Sequence, residues 1–149
     1  MRELRDPPSD LAFDEVRLRF ERIFDGDASR DMVPYYHFRV ISVGGADVGH
    51  INFRVGDTEH VEVCAGHIGF QIRLEFRGHG YARQACLALA PFVRTLYPNV
   101  KLTCDPDNVA SRRTIERLGA TFLDEIEVPP HDVTFENGAR RKLRYLWTP

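Results

Sequence analysis

Val16, Leu18 and Phe20 alternate with Arg17, Arg19 and Glu21, the period-two pattern of a strand with one buried face. Before it, residues 1–14 read as a lead-in rich in turn formers. After it, residues 25–34 are polar and contain Gly26, which predicts a loop with no room for a helix of useful length. Residues 35–43 are rich in aromatic and β-branched side chains and predict a second strand. Gly44 and Gly45 suit a hairpin turn, and residues 48–55 predict a third strand, followed by a turn over 56–60.

The next stretch, residues 61–73, changes phase part-way. Apolar residues fall first at Val61, Val63 and Ala65, then at Ile68, Phe70 and Ile72. Side chains of a strand alternate strictly, so one inserted residue is needed to keep both sets on one face. A β-bulge near residues 65–67 is the expectation, with two short strands and a bend as the alternative. A polar turn over 75–80 leads into a helix over 81–96, where Ala82, Ala85, Cys86, Leu89, Val93 and Leu96 keep a 3–4 spacing. Pro91 inside it costs about 3 kcal/mol and predicts a kink. A short strand over 100–104, a capping cluster at Asp105-Pro106-Asp107-Asn108 and a helix over 109–118 follow, ended by Gly119. Residues 122–128 predict a strand, 129–138 a loop and 140–147 a last strand.

The order is four strands, helix, strand, helix, two strands. That is an α/β fold with a mixed sheet. The leading hairpins should be antiparallel, and the fourth and fifth strands, joined through a helix, parallel by the crossover rule. Neither repeats nor a domain boundary interrupt the chain, so 1–149 reads as a single domain.

Composition acts by exclusion. With 149 residues, 43% hydrophobic and 28% charged, the chain has the material for a core. A net charge of -2 disfavours a nucleic-acid partner. No apolar run approaches the roughly 20 residues that span a bilayer, and Met1 to Pro8 lack a secretion core. A cytoplasmic location without a membrane partner is the expectation. Cys64, Cys86 and Cys104 are three widely spaced cysteines, which argues for reduced thiols rather than disulfides or a metal site. Cys64 and His67 offer a nucleophile and a base, but no oxyanion signature surrounds them.

Candidate chemistry concentrates in Arg77-Gly78-His79-Gly80-Tyr81-Ala82, between a strand and a helix. The first amides of a helix lack intrahelical partners and sit at the positive end of its dipole. A phosphate there is held by backbone donors, and Gly78 and Gly80 let the backbone approach it. Arg77 brings a charge, and His79 another if protonated. A Walker loop needs lysine and serine or threonine after its last glycine, and a dinucleotide fingerprint needs a third glycine where Arg83 stands.

Together with Gly66-His67-Ile68-Gly69-Phe70-Gln71-Ile72, Asn108-Val109-Ala110-Ser111-Arg112-Arg113 and Leu118-Gly119-Ala120-Thr121-Phe122, this loop resembles the GNAT superfamily of N-acetyltransferases. Arg77, Gly80 and Ala82 occupy the positions of its R/Q-x-x-G-x-G/A signature. The resemblance covers about residues 66–122. It implies a splayed, mostly antiparallel sheet with a parallel fourth and fifth pair, flanking helices and acetyl-CoA as cosubstrate, with an amine as acceptor. The backbone of Phe70 and Ile72 would pair with the pantetheine arm, and Asn108 and Ser111 would contact cofactor. Asn108 also suits a helix cap, worth about 1 kcal/mol.

Two departures from the family stand out. Its general-acid tyrosine maps onto Ile115, leaving Tyr145, Tyr81 or water as substitutes. The helices that wall the acceptor groove are missing from residues 25–34, so the cleft should be open or completed by a second copy in a homodimer. Glu62 and His67 are the candidate bases. His50, Asn52 and Arg54 form a polar stripe that either lines the acceptor cleft or faces solvent. Arg140, Arg141, Lys142 and Arg144 either meet the cofactor's 3′-phosphate or, the stronger reading, protect an edge strand. The leading function is acetyl transfer to an amine. The alternatives are a non-catalytic acyl-CoA-binding module, which Ile115 motivates, and a structural domain that keeps only the fold.

Overall fold

The structure, a computed structural model, describes residues 3–149. Strands β1 (Ala12–Phe13), β2 (Val16–Phe24), β3 (Tyr35–Ser42), β4 (Asp47–Arg54) and β5 (Ile68–Ile72) form one antiparallel sheet in that order. Alternation works as the pattern predicts: Val16 and Leu18, Tyr36 and Phe38, and Ile51 and Phe53 are buried on the same face. Between β2 and β3, residues 28–30 make only a single 3-10 turn.

Helix α1 (Tyr81–Arg94) covers that face with Ala85, Leu89, Phe92 and Val93. The Phe92 ring stands edge-on to Tyr36 at 4.9 Å and to Phe53 at 5.7 Å. Burying such a ring stabilises the fold by about 1.5–3 kcal/mol. Pro91 is exposed and helical geometry runs through it to Arg94. Packing of Leu89, Phe92 and Val93 offsets the backbone bond lost at the proline.

A second, smaller sheet contains β6 (Val100–Cys104), β8 (Arg141–Trp147) and β7 (Thr121–Glu127), with β8 in the middle. Helix α2 (Val109–Arg117) seals Ile115 into the core. One apolar cluster joins the sheets, from Val16 and Phe38 to Leu102, Tyr145 and Trp147. The short helix α3 (Val133–Glu136) lies where the sequence predicts only loop. Asp132 caps it by accepting the Thr134 amide at 2.8 Å.

Three expectations are corrected. Residues 61–65 are not the first half of a bulged strand, for His60–Ala65 is a π-helical turn. His60, Val61 and Cys64 bury on one side of it. The phase change at 65–67 therefore marks a switch from helix to strand. Valine-rich sequence favours a strand, but tertiary packing outweighs that preference.

The fourth and fifth strands of the prediction are β5 and β6, and they form no parallel ladder; every ladder among the described residues is antiparallel. They touch at one place. The His67 amide donates to the Lys101 carbonyl at 2.8 Å, and the Lys101 amide donates to His67 Nδ1 at 2.9 Å. Gly66 makes this approach feasible: it has φ 71°, and a Cβ there would stand 2.9 Å from the Lys101 carbonyl oxygen. Beyond this contact no ladder joins the two strands among the described residues, and β6 pairs with β8 on its opposite edge.

The basic run guards no edge, because β8 is central. Its charges are matched by acids instead. Arg144 forms a two-pronged pair with Asp124 at 2.8 Å, Arg141 pairs with Glu125 and Lys142 with Asp105. Arg140 lies over the Phe135 ring.

Candidate active site

The parting of β5 from β6 opens a cleft of about 470 Å³. The Arg73 amide donates to the Val48 carbonyl at 2.8 Å. Two-residue alternation then assigns the Gln71 and Gly69 backbones to the β4 ladder and turns those of Phe70 and Ile72 toward the gap. Both residues line the cleft, and so do Gln71, Asn108 and Ser111. One carbonyl is already used: Arg77 Nε donates to the Ile72 oxygen at 2.9 Å.

At the far end the cleft meets the N-terminus of α1. Arg77, Gly78, Gly80, Tyr81 and Ala82 line it, and His79 does not. The His79 ring rests 5.4 Å from Tyr81. Gly78 and Gly80 have φ of 89° and 75°, a left-handed backbone that glycine adopts without strain. A Cβ at Gly78 would meet nothing within 4 Å. The backbone path and the open approach, not packing, call for glycine. The first intrahelical bond runs from the Gln84 amide to the Gly80 carbonyl, leaving the amides of Tyr81, Ala82 and Arg83 outside the ladder.

The sequence reading missed two more cations. Arg113 and Arg117 lie one turn apart on α2 and line the same cleft. Among the described residues no carboxylate lies within 4.0 Å of Arg77, Arg113 or Arg117. Three guanidinium groups without a carboxylate partner beside a bare helix start concentrate positive charge at this end of the cleft, in a protein of net charge -2. The i, i+4 spacing of these arginines was the available signal.

Phe70, Asn108 and Ser111 also border a second cleft of about 370 Å³, on the other side of the gap. His60, Arg54, Cys64, Thr134 and Lys142 line it as well. Of the polar stripe on β4, only Arg54 reaches this cleft, while Asn52 bonds His37 and the His50 ring lies tilted 5.4 Å from that of His37. Asn108 caps α2, its Oδ1 accepting the Ser111 amide at 3.1 Å.

The acetyltransferase (GNAT) domain model matches residues 2–121. The chain belongs to the GNAT family. Solved structures with the same fold include the GNAT-family acetyltransferase from Bacillus anthracis, at 27% identity and TM-score 0.60, over 75% of this chain and 65% of that one. The chain thus spans just under two thirds of that protein. A second is the microcin C7 self-immunity acetyltransferase MccE in complex with acetyl-CoA and AMP, at 17% identity and TM-score 0.57, covering 77% and 61%. A third is the ribosomal-protein-S5-alanine acetyltransferase from Vibrio fischeri, at 19% identity and TM-score 0.56, covering 77% and 64%. At those identities the last two share the fold alone. No curated protein sequence matches.

In this GNAT domain Tyr81 is the one residue offered for proton transfer that lines a cleft; His67, Glu62 and Tyr145 stand apart from both. His67 is 2% exposed; its Nδ1 accepts from Lys101 and its Nε2 lies 3.1 Å from Asp57 Oδ1. Glu62 pairs with the Lys101 ammonium at 3.1 Å. Asp57, Glu62 and His67 bring three ligand-type atoms within 4.8 Å of one another, but Lys101 engages two of the three residues. Tyr145 is buried against Phe122, and burial raises its pKa. Ile115 is 1% exposed and offers only packing.

Cys64 and His67 do not form a nucleophile–base pair. The Cys64 thiol is pushed up to about 12, first by burial and then by Asp132. Its side-chain partner is Asp132, which also holds a different histidine. His60, 6% exposed, places Nδ1 3.0 Å from both oxygens of Asp132, which is 7% exposed. Burial opposes the Asp132 charge, but hydrogen bonds from the Thr134 amide and His60 hold its carboxyl below the usual range. These partners are 72 residues apart, and local pattern carries no trace of the pairing.

Proposed function

We propose that this domain is an acetyl-CoA-dependent N-acetyltransferase that moves acetyl directly from the thioester to a primary amine of a small molecule or protein. The observation that carries the reading is the gap between β5 and β6. It runs from an arginine-rich, glycine-opened helix start, past the outward backbone of Phe70 and Ile72, into a second cleft. The first end suits the pyrophosphate, with Arg113 and Arg117 available to the outer phosphates. The strand edge suits the amides of the pantetheine arm, which would lie as an extra strand. The thioester then falls near Phe70, Asn108 and Ser111, where the clefts meet.

The second cleft takes the acceptor. The short 25–34 connection leaves it open, which supports a broad amine or a polypeptide end. A lysine-like amine is neutral in only about 1 molecule in 2,500 at pH 7, so deprotonation is a large part of the barrier. Ile115 in the core supports, as second reading, binding of acyl-CoA without turnover.

Calorimetric titration with acetyl-CoA, then thiol release over an amine panel, tests the reading. A ligand at 100 times its Kd stabilises the native state by about 2.7 kcal/mol, so melting should rise visibly. Binding with thiol release supports transfer, and binding alone supports the second reading. No binding at millimolar acetyl-CoA refutes both.

A further inference from the structure

We propose that His60, held by Asp132, is the general base that takes the proton from the acceptor amine. The inference rests on the transfer reading above and assigns its missing base. Asp132 engages Nδ1, and no described residue takes Nε2. A carboxylate on one imidazole nitrogen fixes the proton there and leaves the other as acceptor. The ring lines the second cleft, which meets the cofactor cleft at Phe70, Asn108 and Ser111. The base is therefore on the acceptor side of the thioester.

Titratable and charged groups from several elements face the ring besides Asp132. Arg54 from β4 and Lys142 from β8 line the same cleft. Lys142 is tempered by Asp105, which follows β6 and pairs with it at 2.8 Å. On the ring's own turn Cys64 is a buried, protonated thiol, and Glu59 is engaged by His131 at 3.1 Å. Cys104, at the end of β6, is another buried thiol.

Nε2 removes one proton from the bound ammonium and passes it to solvent. The freed nitrogen lone pair attacks the acyl carbon, forming the N–C bond. As the C–S bond breaks, its electron pair leaves on sulfur, and a second proton from the same nitrogen ends on the thiolate. The products are an amide and free thiol. Asp132 is a positioning residue, acting through the ring.

The test uses the full chain, acetyl-CoA, and the fastest acceptor among lysine, spermidine and an alanyl dipeptide. His60→Gln should lower kcat/KM by about 100-fold or more, the usual worth of a positioned base, and abolish the acidic limb of its pH profile. Its affinity for acetyl-CoA should stay within about twofold, because His60 lies outside the cofactor cleft. Asp132→Asn, whose amide would donate to Nδ1 and move the ring proton to Nε2, should lower kcat/KM at least as strongly. Nitrogen NMR on the unmodified protein gives a check that needs no variant: His60 should carry its proton on Nδ1. A proton on Nε2 overturns the proposal, and so does a folded His60→Gln enzyme with kcat/KM within about threefold and an unchanged limb. A wild type that binds acetyl-CoA but releases no thiol removes the transfer reading and this proposal with it. An active wild type with an indifferent variant removes this proposal alone.

Discussion

His67 and Lys101 hold each other twice: the His67 amide donates to the Lys101 carbonyl at 2.8 Å, and the Lys101 amide donates to His67 Nδ1 at 2.9 Å. This double bond pins β5 to β6 at the root of the gap. His67→Leu should leave the Lys101 amide buried and unpaired, a loss of about 1–3 kcal/mol. Urea unfolding reads it. An unchanged midpoint would show that the two strands do not depend on this pin.

Gly80→Asp should abolish acetyl-CoA binding while the protein stays folded. It places a carboxylate where an anion is to be held, and its left-handed backbone costs only about 1–2 kcal/mol. Arg113→Ala and Arg117→Ala should each weaken binding less, and flatten its dependence on salt. Calorimetry at two salt concentrations measures both, and full affinity in Gly80→Asp would count against the loop.

Ile115→Tyr should not create a general acid. Position 115 is sealed at 1% exposure, so the larger ring overpacks the core at a cost of about 1–3 kcal/mol. Lower melting temperature with no gain in thiol release is the expected pair of results; a gain in rate would show that the ring reaches the cofactor.

All three cysteines should resist a thiol reagent in the native state. Cys64 and Cys86 are pushed up to about 12, in each case chiefly by burial. At pH 8 that leaves about 1 thiolate in 10,000. Absorbance titration should count none before denaturation and three after. One fast native thiol would contradict the buried placement.

Acid should expose the Arg39–Asp47 pair. Hydrogen bonding from Arg39, at 2.9 and 2.8 Å, holds the Asp47 carboxyl below its ordinary value. A depressed carboxyl contributes stability that is complete above its unfolded pKa of about 3.9 and is lost as pH falls through its folded value. Asp47→Asn should therefore cost about 1 kcal/mol at neutral pH, and the difference from wild type should vanish near about pH 2. Paired urea melts across that range give the answer, and a constant difference would exclude the pairing as its source.

Much of the frame was legible because it is local. Strand 16–24 announces itself by alternation and 35–42 by aromatic and β-branched content, α1 by its 3–4 spacing, and α2 by the capping cluster before it and Gly119 after it. The turn at 60–65 was not, since valines favour strand while Val61 and Cys64 bury helically. Helix α3 is too short to show a period. The central place of β8 is a matter of sheet order, on which local pattern is silent. In the site, the glycine loop was readable because backbone shape constrains sequence. The His60–Asp132 pair was not, since only the fold brings together residues from an apparent turn and an apparent loop.

The middle place of β8 has a consequence for how the chain acquires its structure. β6 and β7 both precede it, and neither has a ladder partner until residues 141–147 arrive between them. During synthesis the larger sheet can close through neighbouring hairpins, while the smaller one must wait for its centre. Long-range pairing of this kind is slow. The nascent chain should therefore pass through a stage in which β5 is folded and the opposite wall of the gap is not, so binding at the proposed acetyl-CoA cleft should wait for β8 to dock between β6 and β7.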